Sequence, residues 1–270
     1  MIITKKQVML PKRKRTSHKG QNGNVLVIGG SYDFVGAVVL AGLAALRSGV
    51  DWVTIMCPEK VGWAIHCLTP NLVTRKVKTE FFSARHIPLA LKEEQKYDVV
   101  LIGNGISLKS KAFCRGFLRR SLKPLVIDAD AVKAVRIQDV DNAILTPHHK
   151  EFELLLKNSK LTERNFQKYL KYNIVIVKGA VDTIYTRGKI FKNKTGNPGM
   201  TKGGTGDVLA GLAVGFLAQS GDLLQSAINA TFFNGLIGDI LFKKHKGYSY
   251  LASDMVDEIK AMRSRNFSPR

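Results

Sequence analysis

The chain has 270 residues, 45% apolar and 23% charged, a balance that argues against both a disordered polyelectrolyte and a membrane-embedded protein and supplies enough apolar material for a core. Lys and Arg outnumber Asp and Glu by 42 to 21, a formal net charge of +21 that attracts polyanions without specifying any sequence or shape among them. The longest apolar stretches, residues 34–46 and 208–218, fall short of the roughly 18 residues of a bilayer span, so no transmembrane helix is expected.

At the N-terminus, Lys5 and Lys6 interrupt the region that a signal peptide needs apolar, which predicts a protein retained in the cytoplasm. The basic residues are spread out except for a run at 12–15 followed by His18 and Lys19, which reads as a solvated arm rather than a reader of bases. Residues 25–29 form an apolar run ending in glycine, then come a turn-rich Ser31-Tyr32-Asp33 and an alanine-rich segment at 36–46, the layout of strand, loop and helix. Further strands are expected at 52–57, 99–102 and 124–128, the last before a short helix; this alternation predicts a parallel sheet.

Strands are also expected at 143–146, stopped by Pro147, and at 174–177, with a helix starting over residues 151–156. Residues 183–185 and 189–192 flank Arg187-Gly188 as a small antiparallel hairpin, which makes the sheet mixed at one edge. From Gly206 to about Lys244 the spacing is helical, and Asp254 is placed to cap a last helix to about Arg263. No linker or repeat appears, so one domain over 1–270 is expected. Three cysteines, Cys57, Cys67 and Cys114, cannot all pair and lie on core or helix segments; burial in a reducing compartment is expected. His66 beside Cys67 lacks a second ligand pair at zinc spacing, so no structural metal is predicted.

The sharpest chemical signal runs from Asn197 to Gly211, where Gly203, Gly204, Thr205 and Gly206 crowd a loop that gives way to an apolar helix. Unpaired N–H groups and the positive end of the helix dipole favour a phosphate there. Asp207 falls in the same helix start, where a carboxylate beside a bound phosphate can take the proton of an attacking hydroxyl. The competing reading is an ordinary first-turn acid behind an ordinary loop. The segment lacks the GK[ST] ending of a P-loop, and Gly103-Asn104-Gly105 does not complete a dinucleotide fingerprint.

Three further segments follow strand ends, where open α/β sheets place ligands. Gly29-Gly30-Ser31 suits close approach of a ligand or a plain turn. Thr146-Pro147-His148 groups polar residues ahead of Glu151, with His148 either a ligand contact or a helix cap. Lys178-Gly179-Ala180 offers a cation and free backbone to a nucleotide, against the alternative of a buried lysine with a structural partner.

Taken in order, His18-Lys19-Gly20 with Gly23, Gly29-Gly30-Ser31, Gly36-Ala37, Ser48-Gly49, Gly103-Asn104-Gly105, Asp128-Ala129-Asp130-Ala131, Thr146-Pro147-His148 with Glu151, Lys178-Gly179-Ala180 and residues 197–211 resemble the NAD(P)H-hydrate dehydratases of the ribokinase-like superfamily. The resemblance implies a central, mostly parallel sheet with helices on both faces. It also implies repair of the S-form of NADH or NADPH hydrate at the expense of ADP or ATP with Mg²⁺, a hydro-lyase reaction in which Asp207 is the base. By the same resemblance Ala37, Gly105, His148 and Asp207 contact the hydrated cofactor. Lys178, Gly179, Ala180, Val181, Asp182 and Gly203 to Gly206 hold the adenine nucleotide, and a homo-oligomer, a tetramer or larger, is expected. Asn104 stands where the family commonly has proline, Lys150 where glycine is common and Asp182 where threonine is common. Many members carry an N-terminal epimerase domain; with about 20 residues before the first strand none is expected here, and epimerisation would fall to another protein.

Two other readings remain. A hydroxyethylthiazole- or sugar-type kinase would use Asp207 in the same way but keep the phosphate on its product. A basic binding protein without catalysis would show binding that collapses with salt.

Overall fold

A computed structural model describes residues 1–262. Its elements alternate from the start: β1 (Asn24–Ile28), α1 (Val35–Ser48), β2 (Trp52–Pro58), α2 (Glu59–Leu68), β3 (Val73–Val77), α3 (Ile87–Glu94), β4 (Val99–Ile102) and α4 (Lys111–Leu118). Then follow β5 (Leu125–Ile127), α5 (Ala129–Val132), β6 (Ala143–Leu145), α6 (His149–Ser159) and β7 (Ile174–Val177). The hairpin β8 (Asp182–Tyr185) and β9 (Ile190–Asn193) and the helices α7 (Thr205–Ser220), α8 (Leu223–Lys244) and α9 (Ala252–Met262) complete it.

The strands form one sheet in the order β3-β2-β1-β4-β5-β6-β7-β8-β9. All pairings through β7 are parallel, and β8 and β9 add antiparallel. Strands such as β1 and β4 are apolar throughout because each face must be covered. Val25, Val27, Val99 and Leu101 pack into a core with α1, α7, α8 and α9, whereas Leu26, Ile28, Val100 and Ile102 pack into a second core with α3 to α6.

The composition of α7 follows from its position against α1. A Cβ on Gly211 would strike the Ala41 carbonyl, and one on Gly215 would strike the Ser48 hydroxyl. The glycines let two backbones approach more closely than side chains permit. At the far edge, Ile3 N–H donates to the Lys192 carbonyl at 2.9 Å and Lys192 N–H to the Met1 carbonyl at 2.9 Å. The N-terminal residues thus occupy hydrogen-bonding positions that β9 would otherwise expose.

Several expectations are corrected. The strand expected at 124–128 is β5, three residues long, because Pro124 has no N–H for the ladder and Asp128, whose N–H still donates to the Ile102 carbonyl, is the residue at which the chain turns into α5. The helical stretch from Gly206 onward is two helices, broken at Gly221, whose φ of 69° ends α7. Asp254 is not the cap of α9; it lies in the first turn and accepts from Leu251 N–H at 2.8 Å, while Arg263 lies outside the described residues. Cys57 and Cys114 are buried, as expected, but Cys67 at the end of α2 is exposed. The expected elements omit α2, β3, α3 and α4. The edge strand β3 carries Thr74, Arg75 and Lys76 and buries only Val77, and α3 is eight residues long with Glu93 and Glu94 among its buried positions, whereas α4 buries Phe113, Cys114, Phe117 and Leu118 at helical spacing, a repeat legible in the sequence but overlooked.

Candidate active site

The sheet reverses its winding between β1 and β4, the switch point where a crevice opens beyond the strand ends. Backbones close in around it. Gly30 N–H donates to the Asn104 carbonyl at 2.9 Å, and a Cβ on Gly29 would strike that same carbonyl. Gly103 has a φ of 123°, and any Cβ there would run into the Asp128 carbonyl. Gly105, at φ 62°, lies under Phe34 and beside Ala37, whose Cβ would be 3.2 Å from its own. Glycine is required at 103 and 105 by conformation as well as by space.

These contacts bring five polar side chains together. Asn104, fully buried, donates from one Nδ2 to Asp207 Oδ1 at 2.6 Å and to Asp128 Oδ2 at 3.0 Å. The other Asp128 oxygen accepts from the Thr146 hydroxyl at 2.7 Å and from Lys178 Nζ at 3.0 Å. Burial, and then the negative charge of Asp128, push the Asp207 carboxyl up to about 7, against the hydrogen bond from Asn104 and the charge of Lys178. Lys178 shows the opposite balance. Burial disfavours its charge, but Asp128, Glu151 and Asp207 outweigh it and raise the ammonium above its ordinary range.

Asp207 lies in the first turn of α7, which Gly204 enters at φ 93°. That glycine also permits contact with α1 and α9, since a Cβ there would fall 2.6 Å from Leu40 and 2.8 Å from Ala252. The first N–H groups of such a helix have no acceptor within it. The loop before it is tied down: Thr205 Oγ1 donates to the Met200 and Lys202 carbonyls, and Lys202 Nζ to those of Tyr248 and Tyr250.

Beside this helix start is a cleft of about 500 Å³. His148, Lys178, Gly179, Ala180, Asp182, Thr205 and Gly206 line it, all singled out by the sequence. Val181, Gly203 and Gly204 are not part of its wall, and neither are Ala37 and Gly105, which lie at the corner on the Asn104 side. Asp207 stands between the two, with Gly206 in the cleft wall and its carboxylate turned to Asn104.

Some residues carry structural tasks as well. His148 caps α6: its Nδ1 accepts from Glu151 N–H at 3.4 Å, while its own N–H donates to the Glu151 carboxylate at 3.0 Å. Lys178 is paired with Asp128, the alternative that the sequence left open. Asp182 accepts from Gly179 N–H at 3.0 Å and from Asn193 at 3.3 Å, closing the loop after β7; burial raises its carboxyl above the usual range.

Sequence reasoning missed the linking role of Asn104, Asp128 and Thr146, and the contribution of Thr195, Asn197 and Asn234 to the cleft. The available signal was positional: Asn104, Asp128 and Thr146 are the polar residues immediately beyond the apolar runs of β4, β5 and β6. Among the described residues no three acidic, histidine or cysteine side chains gather as a metal cage. Magnesium is commonly held by few protein carboxylates and several phosphate or water oxygens, so the residues present fit an ion that would be carried by a nucleotide.

The strand order and an acid at the start of a glycine-led helix define a protein of the ribokinase-like class. The pattern of the NAD(P)H-hydrate dehydratase family matches residues 25–261, and the chain belongs to that family. It is 41% identical to the bifunctional NAD(P)H-hydrate repair enzyme Nnr of Methanocaldococcus jannaschii over 93% of this chain and 50% of that one. The chain spans about half the length of that and several other curated relatives. It is 33% identical to the ADP-dependent (S)-NAD(P)H-hydrate dehydratase of Nitrosopumilus maritimus over 94% of this chain and 92% of that one. The ADP/ATP-dependent NAD(P)H-hydrate dehydratase of Bacillus subtilis, co-crystallized with ATP/Mg²⁺, superposes with a TM-score of 0.81 at 26% identity, covering 98% of both chains.

Proposed function

We propose that the protein dehydrates the S-form of NADH or NADPH hydrate, using ADP or ATP as phosphate donor and releasing AMP or ADP with inorganic phosphate. The observation that carries this reading is the place of Asp207, between a cleft at the start of α7 and the corner formed by Ala37 and Gly105. A carboxyl beside a cleft and turned toward the corner of Ala37 and Gly105 suits proton transfer from a hydroxyl placed at that corner, and a carboxyl raised to about 7 exchanges protons near neutrality.

In this reading the nucleotide lies in the cleft, its terminal phosphate against the first N–H groups of α7 and near Lys178, whose Nζ would be 3.4 Å from a Cβ on Gly206. Asp207 takes the ring hydroxyl proton as that oxygen attacks the terminal phosphorus, and the shortened nucleotide leaves. Phosphate then departs with the electrons of the C–O bond, the ring gives up a proton from the adjacent carbon, and the double bond re-forms. Phosphorylation serves to replace hydroxide, a poor leaving group, with phosphate. Magnesium bound to the nucleotide would offset phosphoryl charge during transfer. The likeness to the ADP-dependent (S)-NAD(P)H-hydrate dehydratase of Nitrosopumilus maritimus and to the Bacillus subtilis enzyme co-crystallized with ATP/Mg²⁺ supports the same substrates. A homo-oligomer and a cytoplasmic setting go with this reading.

The test mixes purified protein with hydrated NADH, Mg²⁺ and either ADP or ATP and follows the return of reduced-nicotinamide absorbance beside Asp207→Asn. Recovery that requires nucleotide and falls at least about 10²-fold in the variant is expected for loss of a general base. No recovery with either donor defeats the reading, and a stable phosphorylated product would assign the kinase alternative instead.

A further inference from the structure

Asn104 is a fully buried amide in the loop after β4, and its side chain meets the carboxylate of Asp207. We propose that Asn104 is a positioning residue for the base of this protein: its amide holds Asp207 Oδ1 and joins it to Asp128, leaving Asp207 Oδ2 to receive the substrate proton. The inference rests on the dehydratase reading for the identity of that proton.

The geometry carries it. One Nδ2 group donates to both carboxylates, at 2.6 Å to Asp207 and 3.0 Å to Asp128, from a side chain with no exposed surface. The backbone of Asn104 is held independently, since its carbonyl accepts from Gly30 N–H in the loop after β1 and packs under Gly29. Its orientation follows from charge: turned over, the amide would face two carboxylates with its oxygen. As placed, Asn104 Oδ1 is buried without a hydrogen-bond partner.

The surrounding charges give the amide something to oppose. Asp128 from the end of β5 faces Asp207 with like charge; Lys178 from the end of β7 faces it with opposite charge and is itself shared with Asp128. Glu151, at the start of α6, acts on Lys178 and is approached by Lys133 at 3.7 Å and His148 at 3.5 Å. The Asn104 hydrogen bond therefore works with Lys178 against Asp128 and burial, keeping Asp207 ionised at lower pH than it otherwise would be.

The experiment is the pH profile of kcat/KM for nucleotide-dependent recovery of NADH in the wild type, Asn104→Leu and Asn104→Pro. Loss of one hydrogen bond to a carboxylate moves the acidic limb to higher pH by about one pH unit. Both variants should lose up to about tenfold at pH 6 and recover wild-type activity at high pH, since one pH unit is tenfold in the fraction of ionised base. An unmoved limb in a folded variant, or a loss equal at all pH values, overturns the proposal. If the wild type fails to act on hydrated NADH, or neither variant folds, the side-chain amide NMR signals of Asn104 in the wild type decide. They should titrate with the midpoint of Asp207 and stop doing so in Asp207→Asn; signals blind to that midpoint overturn the proposal without reference to the reaction.

Discussion

At Asp207 a carboxyl group is held where two influences compete. Burial and Asp128 favour the protonated form, while Asn104, Lys178 and the helix start favour the ion. The consequence for stability is the reverse of the usual one for an aspartate. Because the folded-state carboxyl is raised from 3.8 to about 7, the folded protein binds this proton more tightly than the unfolded chain. The stability it contributes is complete below pH 4 and is lost as pH rises through about 7. Replacing it with an uncharged isostere removes that loss. The full shift sets a ceiling of about 4 kcal/mol, and the partial exposure of Asp207 reduces the expected gain to roughly 1–2 kcal/mol. Asp207→Asn should thus gain stability over the wild type between pH 5 and pH 8 in urea unfolding while losing activity. A gain that is the same at both pH values would show that Asp207 does not titrate in this range.

The same trade is visible between elements. The pair α1 and α7 holds both the Ala37 corner and Asp207, and its closeness depends on Gly211 and Gly215. Gly211→Ala must push α7 away from the Ala41 carbonyl and the Ala44 Cβ, or bend it. Overpacking of this kind costs about 1–3 kcal/mol, and it should also lower kcat because the start of α7 moves relative to the strand ends. Urea denaturation together with turnover measures both. Unchanged stability with unchanged turnover would mean that the helices separate freely without disturbing the site. The sequence indicated α1, α7 and the alternating strands because their apolar runs are long and punctuated by glycine. It did not reveal β3, which carries charge along an exposed edge, α2, which buries few of its residues, or α3, whose buried face includes Glu93 and Glu94; the short repeat of α4 was legible and was overlooked.

Across the whole molecule, the basic arm and the candidate site lie at opposite ends of the strands. Arg13 pairs with Asp51 at 2.6 Å, just before β2, and the Lys19 ammonium is 4.2 Å from the ring centre of Trp52, the first residue of that strand. Asn104, Asp128 and Lys178 follow the last residues of β4, β5 and β7. The arm is therefore fastened at Arg13 and Lys19, with Lys12 exposed just before Arg13 and Lys14 and Arg15 exposed just after it. Replacing those three by glutamine should leave the turnover of hydrated NADH within about twofold, because their fields are screened over a Debye length of about 8 Å at physiological salt. It should also flatten the salt dependence of DNA binding measured by fluorescence anisotropy. Turnover that falls with DNA binding would tie the arm to the chemistry. Among the described residues no helix is long and apolar enough to cross a membrane.

The sequence by itself determined the class of sheet, the hairpin at its edge and the helix start that bears Asp207, because each depends on local properties: apolar runs, glycine-marked turns, and the spacing of loops behind strands. Only the tertiary structure decided what the polar residues at the strand ends do to one another. Asn104 lies 103 positions from Asp207, and Asp128 lies 50 from Lys178. No periodicity relates residues so far apart, and their hydrogen bonds exist only because β4, β5, β6 and β7 are laid side by side with α7 above their ends. Whether Lys178 is a free cation or a partner of Asp128, and whether Asp207 is an ordinary acid or one raised to about 7, depend on burial and neighbours that folding alone supplies.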